Sequence, residues 1–266
     1  MRPRSSGSYT IMFAAAVCVV CAVLVSTAAV SLRGRQAVNA ELDRKRNVLM
    51  AAGVMDDGET LSPAEVDRRF ASFEVVAVNL RTGDEDPLFD ASGYDARRAT
   101  SDPRTSTSAP RNDAQVARLP NHALVYKQRG ASGQIELLIL PVEGKGLWST
   151  MYGFLALGPD LRTIRGLTFF QHGETPGLGG EVDNPRWKGL WPGRQAFDRE
   201  GQIAIEVIRG RAGAPGADPH HVDGLSGATI TSRGVTALLR FWLGDQGFGA
   251  YLTQLRADAG IAPAPR

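Results

Sequence analysis

The stretch ALVYKQRGASGQIELLIL, residues 123–140, decides the fold. Two runs of mostly apolar residues, 123–128 and 134–140, flank the polar, glycine-containing segment 127–133, and this is the pattern of a β-hairpin. Further strand-like runs, bounded by glycine and proline, follow at 153–157, 162–170 and 202–209. The sequence therefore predicts a sheet of mostly antiparallel strands.

Helical patterns flank these strands and predict an α+β domain. On the C-terminal side, apolar side chains recur at helical spacing over 232–243, Gly244 can end that helix, and 245–259 predicts a weaker terminal helix. On the N-terminal side, 33–52 predicts a polar helix, and Ser62 can cap a second one.

The segment between these helices and the hairpin has a mixed character. Residues 75–80 predict another strand, whereas residues 84–115 are rich in Asp, Ser, Thr, Arg and Pro and contain few large apolar residues. That second composition predicts a surface excursion or a mobile linker.

The N-terminal part contains a long apolar segment. Residues 10–32 include no Asp, Glu, Lys or Arg, and these 23 residues would form a helix about 34 Å long, enough to cross a hydrocarbon core about 30 Å thick. A signal peptide cleaved after Ala40 is the alternative. Both cysteines, Cys18 and Cys21, lie in this segment, so no disulfide or cysteine metal site is expected after it.

The chain is thus expected to have four parts: a short tail at 1–9, a single transmembrane helix at 10–32, a membrane-proximal segment at 33–119, and an α+β domain at 120–266 that carries the function. The formal net charge is only +2. This balance excludes proteins that bind nucleic acid through a strong basic field, and no nucleic-acid partner is expected.

The first candidate site is the segment DGLSGATITS, residues 223–232. Its small residues precede a predicted helix, whose free N–H groups and positive dipole end favour an anion such as a phosphate beside Thr229. A glycine-rich turn with an ordinary cap is the alternative. The segment also imitates the nucleophile elbow of a serine hydrolase at Ser226, but no histidine follows that serine and no strand leads into it.

Two further segments can approach a flat ligand. ETPGLGG at 174–180 combines glycines and a proline with Leu178, which can lie against a ring face. Trp148, in GLWSTMYG at 146–153, can stack on a heteroaromatic ring. A plain turn and a core tryptophan are the alternatives, and core packing is also the default for Trp187 and Trp191. His172 beside Glu174 does not suffice for a metal site, and none is expected.

These segments, in this order, resemble one family. Together with AVSLRGRQ at 29–36 and GKGLWSTMYG at 144–153, they are similar to the NqrC family, an FMN-carrying component of the sodium-translocating NADH:quinone reductase. The similarity extends over most of the chain, and residues 84–115 are the part that shows no family pattern.

The resemblance implies a covalent FMN. In the flavinylation pattern D-G-x-S/T-G-A-T, the phosphate is joined to the final threonine, here Thr229, and Thr231 is the near alternative. A separate flavin transferase that uses FAD and Mg²⁺ would attach it. The cofactor-binding residues expected on this basis are the attachment-loop residues and the likeliest ring neighbours: Ser226, Gly227, Ala228, Trp148, Thr175, Leu178 and Gly179. No residue is expected to be catalytic.

The resemblance also implies an electron-relay subunit of a respiratory complex in the bacterial inner membrane. Its partners would be the other subunits, the transferase and the lipid bilayer, and the NADH and quinone sites would lie on other subunits. The family places the flavin domain on the periplasmic side, although Arg2 and Arg4 before the apolar segment are outnumbered by Arg33, Arg35 and residues 44–46 after it. The alternatives are the related flavoprotein subunit of an Rnf-type electron transport complex and a non-redox membrane-tethered adaptor.

Overall fold

The computed structural model describes residues 7–56 and 58–261, and it divides into two compact units between Arg44 and Lys45. Six α-helices in the described ranges are Gly7–Ala51 (α1), Pro63–Phe70 (α2), Ala96–Thr100 (α3), Pro185–Lys188 (α4), Thr229–Leu243 (α5) and Gly249–Asp258 (α6). The strands there are Phe73–Asn79 (β1), Ser106–Ser108 (β2), Arg118–Pro120 (β3), His122–Arg129 (β4), Ile135–Lys145 (β5), Thr150–Leu157 (β6), Ile164–Gln171 (β7), Glu206–Val207 (β8) and His221–Val222 (β9).

The first unit contains most of α1. This helix is long and apolar enough to cross a membrane, and the part in the first unit is mostly exposed. The predicted apolar and polar helices at 10–32 and 33–52 form one uninterrupted helix, and Gly53 follows its end with a positive φ of 69°. Residues 1–6 of the predicted tail, with Arg2 and Arg4, lie outside the described residues.

A five-stranded sheet forms the centre of the second unit. The strand order is β1-β4-β5-β6-β7, and every neighbouring pair is antiparallel. Helix α5 packs on the sheet so closely that a Cβ on Gly144 of β5 would lie 2.5 Å from the Cβ of Leu238. The predicted fold class, an N-terminal apolar helix followed by a mostly antiparallel α+β domain, is confirmed.

The strand predicted over 202–209 is largely wrong. Only Glu206–Val207 is a strand, and it pairs in parallel with His221–Val222. The residues before it use their N–H groups on a loop, because both Ala204 and Ile205 donate to the Ala196 carbonyl. The alternation of apolar residues in this segment therefore arises because one side of the segment is buried, and not because the segment forms a continuous hydrogen-bonded strand.

The polar segment 84–115 contains local structure and is not a mobile linker. It includes α3 and β2, and β2 pairs with β3. Aspartate side chains form its turns: Asp86, Asp90 and Asp102 each accept a hydrogen bond from the N–H two residues ahead, and Asp95 caps α3. Strand β1 of the preceding segment pairs with β4, and the expected division at residue 120 stays a prediction.

Candidate functional site

Three segments meet at one buried carboxylate. The side chain of Glu174, which follows β7 and is 5% exposed, accepts hydrogen bonds from the N–H groups of Leu147 (3.1 Å), Trp148 (2.9 Å) and Ser149 (3.3 Å). It also accepts one from the hydroxyl of Thr231 in α5, at 2.6 Å. Glu174 therefore fixes the loop between β5 and β6, the loop after β7 and the first turn of α5 relative to one another.

The hydrogen bonds also decide the charge of this carboxylate. Burial alone raises the pKa of Glu174, but the Thr231 hydroxyl and the three backbone N–H groups stabilise the ionised form and outweigh it, so the pKa lies below its usual value. Glu174 is therefore an anion at neutral pH that is fully engaged with donors from the protein itself.

Glycines allow this close approach. A Cβ on Gly146 would lie 2.5 Å from Glu174 Oε1, and a Cβ on Gly179 would lie 2.6 Å from Thr231 Oγ1 and 2.7 Å from Glu174 Oε2. Such distances are shorter than van der Waals contact, so any larger residue would displace the carboxylate or its partner. The predicted ring neighbour Gly179 is thus buried between Glu174 and Thr231.

The start of α5 distinguishes the two candidate threonines. Helix α5 begins at Thr229, three residues earlier than predicted, and Thr229 is exposed, whereas Thr231 is 0% exposed and bonded to Glu174. The N-cap residue Ala228 provides no side-chain hydrogen bond. Because the first N–H groups of a helix have no intrahelical partner, this turn offers backbone donors beside the Thr229 hydroxyl.

Large apolar side chains are exposed on the segments that meet at Glu174 and Thr231. Trp148 is 66% exposed, Ile230 is 55% exposed, and Leu178 is 44% exposed. Leu178 reaches the loop 223–228 that precedes α5, because a Cβ on Gly227 would lie 2.9 Å from Leu178 Cδ2. Gly227 has a positive φ of 71°. Large exposed apolar side chains on a soluble domain commonly mark a binding surface, so these three indicate contact with a ligand or a partner.

The remaining predicted residues have simpler roles. Ser226 and Thr175 are exposed, and the Thr175 carbonyl accepts the N–H groups of Leu178 and Gly180. Trp187 and Trp191 are core residues, as expected, and Trp187 Nε1 donates to the Asp223 carbonyl, which supports the loop before α5.

His172 makes two hydrogen bonds within the protein. Its Nε2 pairs with Asp183 Oδ2 at 2.7 Å, and its Nδ1 accepts the N–H of Glu174. No group of three potential metal ligands occurs in the described part of the chain.

Sequence reasoning missed the role of Glu174. Its position beside glycines gave no signal for a partner, because the three donors lie 25 to 27 residues earlier in the chain and Thr231 lies 57 residues later.

Comparisons with known proteins identify the family of the chain. Residues 146–244 match the family described as the FMN-binding domain. The NqrC subunit of the Na⁺-translocating NADH-quinone reductase of Pseudomonas aeruginosa is 45% identical over 260 residues, which cover 96% of this chain and 98% of that protein. The corresponding Yersinia pestis protein is 42% identical and covers 97% of each. The crystal structure of Shewanella oneidensis NqrC aligns with a TM-score of 0.74 and 38% identity, over 82% of this chain and 99% of that one. The chain therefore belongs to the NqrC family, the flavin-domain subunits of the Na⁺-translocating NADH-quinone reductases.

Proposed function

We propose that this chain carries FMN covalently, through a phosphoester to Oγ of Thr229, and relays electrons within a Na⁺-translocating NADH-quinone reductase. One observation carries the proposal: the Thr229 hydroxyl is exposed at the uncapped first turn of α5, whereas Thr231 is buried and already bonded. Thr229 is also the residue at which the sequence pattern for flavinylation ends.

The polar part of the site suits the phosphate of FMN. A phosphodiester on Thr229 retains one negative charge, and the free N–H groups of the first helical turn, together with its dipole, stabilise that charge. Gly227, between Ser226 and Ala228, has a positive φ that disfavours any residue with a Cβ. Without a side chain at this position, a ligand can approach the backbone closely.

The apolar part of the site suits the ring system. Trp148 and Leu178 present exposed apolar surface, and their loops are fixed through Glu174 and its partners. Thr175 is exposed on the same loop as Leu178, and Gly179 lets this loop pack on Glu174 and Thr231. A flat heteroaromatic ring would remove these side chains from water, which is favourable by about 25 cal/mol for each Å² buried.

The chain contributes attachment and positioning, and FMN, when bound, supplies the ability to accept and donate electrons. A covalent bond matters on an open surface, because a ligand held by weak contacts alone dissociates on dilution. Glu174 keeps the ring-side loops at a fixed place relative to Thr229, and none of these side chains besides Thr229 is required to react.

The wider setting of the proposal follows the family. We expect a flavin transferase to attach the FMN, the other subunits of the complex to exchange electrons with it, and the lipid bilayer to hold α1. The periplasmic side of the bacterial inner membrane is the expected location of the second unit. The near-full-length similarity to NqrC proteins and the matched FMN-binding domain favour this reading over an Rnf-type flavoprotein and over a non-redox adaptor.

The attachment site is tested by co-expressing the full chain with a flavin transferase. We expect a fluorescent band on a denaturing gel and an intact mass increased by one FMN, with the modified peptide containing Thr229. Thr229→Ala should abolish both. Thr231→Ser, which keeps the hydroxyl that donates to Glu174, should retain both.

The outcomes separate the parts of the proposal. Covalent flavin in Thr229→Ala would show that another residue is the acceptor. A wild-type chain of unmodified mass, produced with an active transferase, would remove the basis for an electron relay through this protein.

A further inference from the structure

A groove runs along α5 from the turn that contains Thr229. Its volume is about 690 Å³, and one wall is the stripe of α5 that begins with Ile230 and Arg233 and ends near Gly244. The other wall is formed by residues 111–113, Gln115, the Lys145 end of β5 with Gly146, and β8. The groove begins at Ile230, in the turn of Thr229, and neither Trp148 nor Leu178 lines it.

Arg233 belongs to the end of the groove nearest Thr229. It follows Thr229 by four residues in α5, so the two side chains lie on the same face, with Cβ atoms about 5–6 Å apart. Helical side chains tilt toward the N-terminus, and a residue covers the turn that precedes its own Cα. Arg233 is exposed, and this tilt brings the turn of Thr229 within reach of its guanidinium.

Lys145 supplies a second cation at the same end. Gly234 of α5 packs directly on the Lys145 carbonyl, and a Cβ on Gly234 would also lie 3.3 Å from Gly146 Cα. The Lys145 N–H donates to the Ala114 carbonyl at 2.8 Å. The Lys145 backbone is thus held from two sides, next to the helical turn that carries Arg233.

The charges of the groove are unevenly distributed. At the end far from Thr229, Arg240 pairs with Glu206 at 2.8 Å, and Asp245 adds a negative charge. On the wall opposite α5, Arg111 and Asp113 offset each other in charge. Within residues 7–56 and 58–261, neither Arg233 nor Lys145 has a carboxylate at ion-pair distance. Positive charge therefore remains uncompensated beside Thr229.

We propose that Arg233 and Lys145 form a phosphate-binding site at this end of the groove, which holds the 5′-phosphate of the flavin at Thr229. The inference rests on the proposed function and adds a specificity to it. A phosphorylated flavin is bound by its phosphate on the basic flank and by its ring on the apolar flank. Riboflavin, which has no phosphate, gains only the second contact.

The test separates binding from attachment by using the full chain with Thr229→Ala in detergent. FMN and riboflavin are titrated at low ionic strength, and binding is followed by quenching of flavin fluorescence. We expect FMN to bind at least about tenfold more tightly than riboflavin, and inorganic phosphate to compete with FMN only. Adding Arg233→Gln should reduce the FMN preference to about threefold or less without changing riboflavin affinity.

Arg165→Gln is the matched control, because Arg165 is an exposed arginine on β7 that does not line the groove. It should leave the FMN preference intact. Equal affinities for FMN and riboflavin, no binding of either up to millimolar concentration, or an equal loss in Arg165→Gln would each overturn the proposed phosphate site. Failure of attachment at Thr229 is read separately, from the mass of the wild-type chain.

Discussion

Two glutamates organise the second unit in different ways. Glu85, in the loop after β1, accepts two hydrogen bonds from Lys127 Nζ, at 2.8 and 2.9 Å, and one from the Tyr251 hydroxyl at 3.0 Å. Glu174 accepts three backbone N–H groups and one hydroxyl, and among the described residues no cation pairs with it. The Glu85 carboxylate balances the charge of a buried ammonium group. The Glu174 carboxylate stays charged and is stabilised by hydrogen-bond donors that carry no charge.

The difference separates stability from positioning. Lys127 is 1% exposed, so Glu85 balances an ammonium group inside the protein and joins β4 to α6. Glu174 joins loops around an exposed hydroxyl and balances no buried cation. We therefore expect loss of Glu85 to affect folding first and loss of Glu174 to affect the flavin site first.

The largest effect is expected for Glu85→Gln. The substitution leaves the Lys127 ammonium buried without its main partner, and breaking such a pair costs about 3 kcal/mol of unfolding free energy. Urea unfolding followed by tryptophan fluorescence measures this loss. Protein that folds should still carry covalent FMN. Glu74→Gln is the control, because Glu74 is half-exposed and 3.8 Å from Lys127 Nζ, and it should cost well under about 1 kcal/mol.

A smaller effect on stability, of about 2 kcal/mol, is expected for Glu174→Gln, because the amide group turns a donor toward N–H groups that need an acceptor. The ring-side loops should loosen, so flavin fluorescence anisotropy should fall although the covalent bond forms. The low pKa of Glu174 means that its stabilisation is present above the pKa of the unfolded carboxyl and is lost as the pH falls through the folded value. If Glu85→Gln lowers anisotropy as much, the contrast between the two glutamates does not hold.

The smallest effect is expected for Glu143, a third carboxylate that sharpens the comparison because its side chain accepts no hydrogen bond within the described residues. Burial raises its pKa to about 7, and Arg97 opposes this only in part. A raised folded pKa gives stability that is present at low pH and lost as the pH rises through about 7. Glu143→Gln should remove on the order of 1–2 kcal/mol of pH-dependent stability between pH 5 and 8. An unchanged slope in the variant would contradict this.

The sheet was predictable because the residues of its strands favour extended structure by their own local sequence pattern. The runs at 123–128, 134–140, 153–157 and 162–170 all lie within or overlap strands of the structure. The extent of β5 was not predictable, since it continues through Pro141 and Gly144 to Lys145, where packing of α5 and pairing with β6 replace local propensity. The turns of 84–115 were readable in principle, because aspartate side chains commonly close turns on the N–H two residues ahead.

The candidate site was predictable as a set of segments and not as a set of contacts. Glycine-rich loops and the helix start indicated where a ligand could approach. In the structure, the segments that contain Trp148, Leu178 and Thr229 are neighbours, since Glu174 bonds to the first and to Thr231. The pairing of Glu174 with donors far away in the chain has no local signature. The flavin attachment itself and its individual ring contacts stay predictions.

The junction at Glu174 limits how the attachment sequence could be transplanted. A short tag copying residues 223–232 would supply the hydroxyl, but the segments that meet it, 146–149 and 174–180, belong to other parts of the chain. A modification enzyme that recognises only the peptide would accept such a tag. An engineered protein labelled in this way would then hold a freely tumbling chromophore, and a scaffold that must orient the dye has to borrow all three segments together.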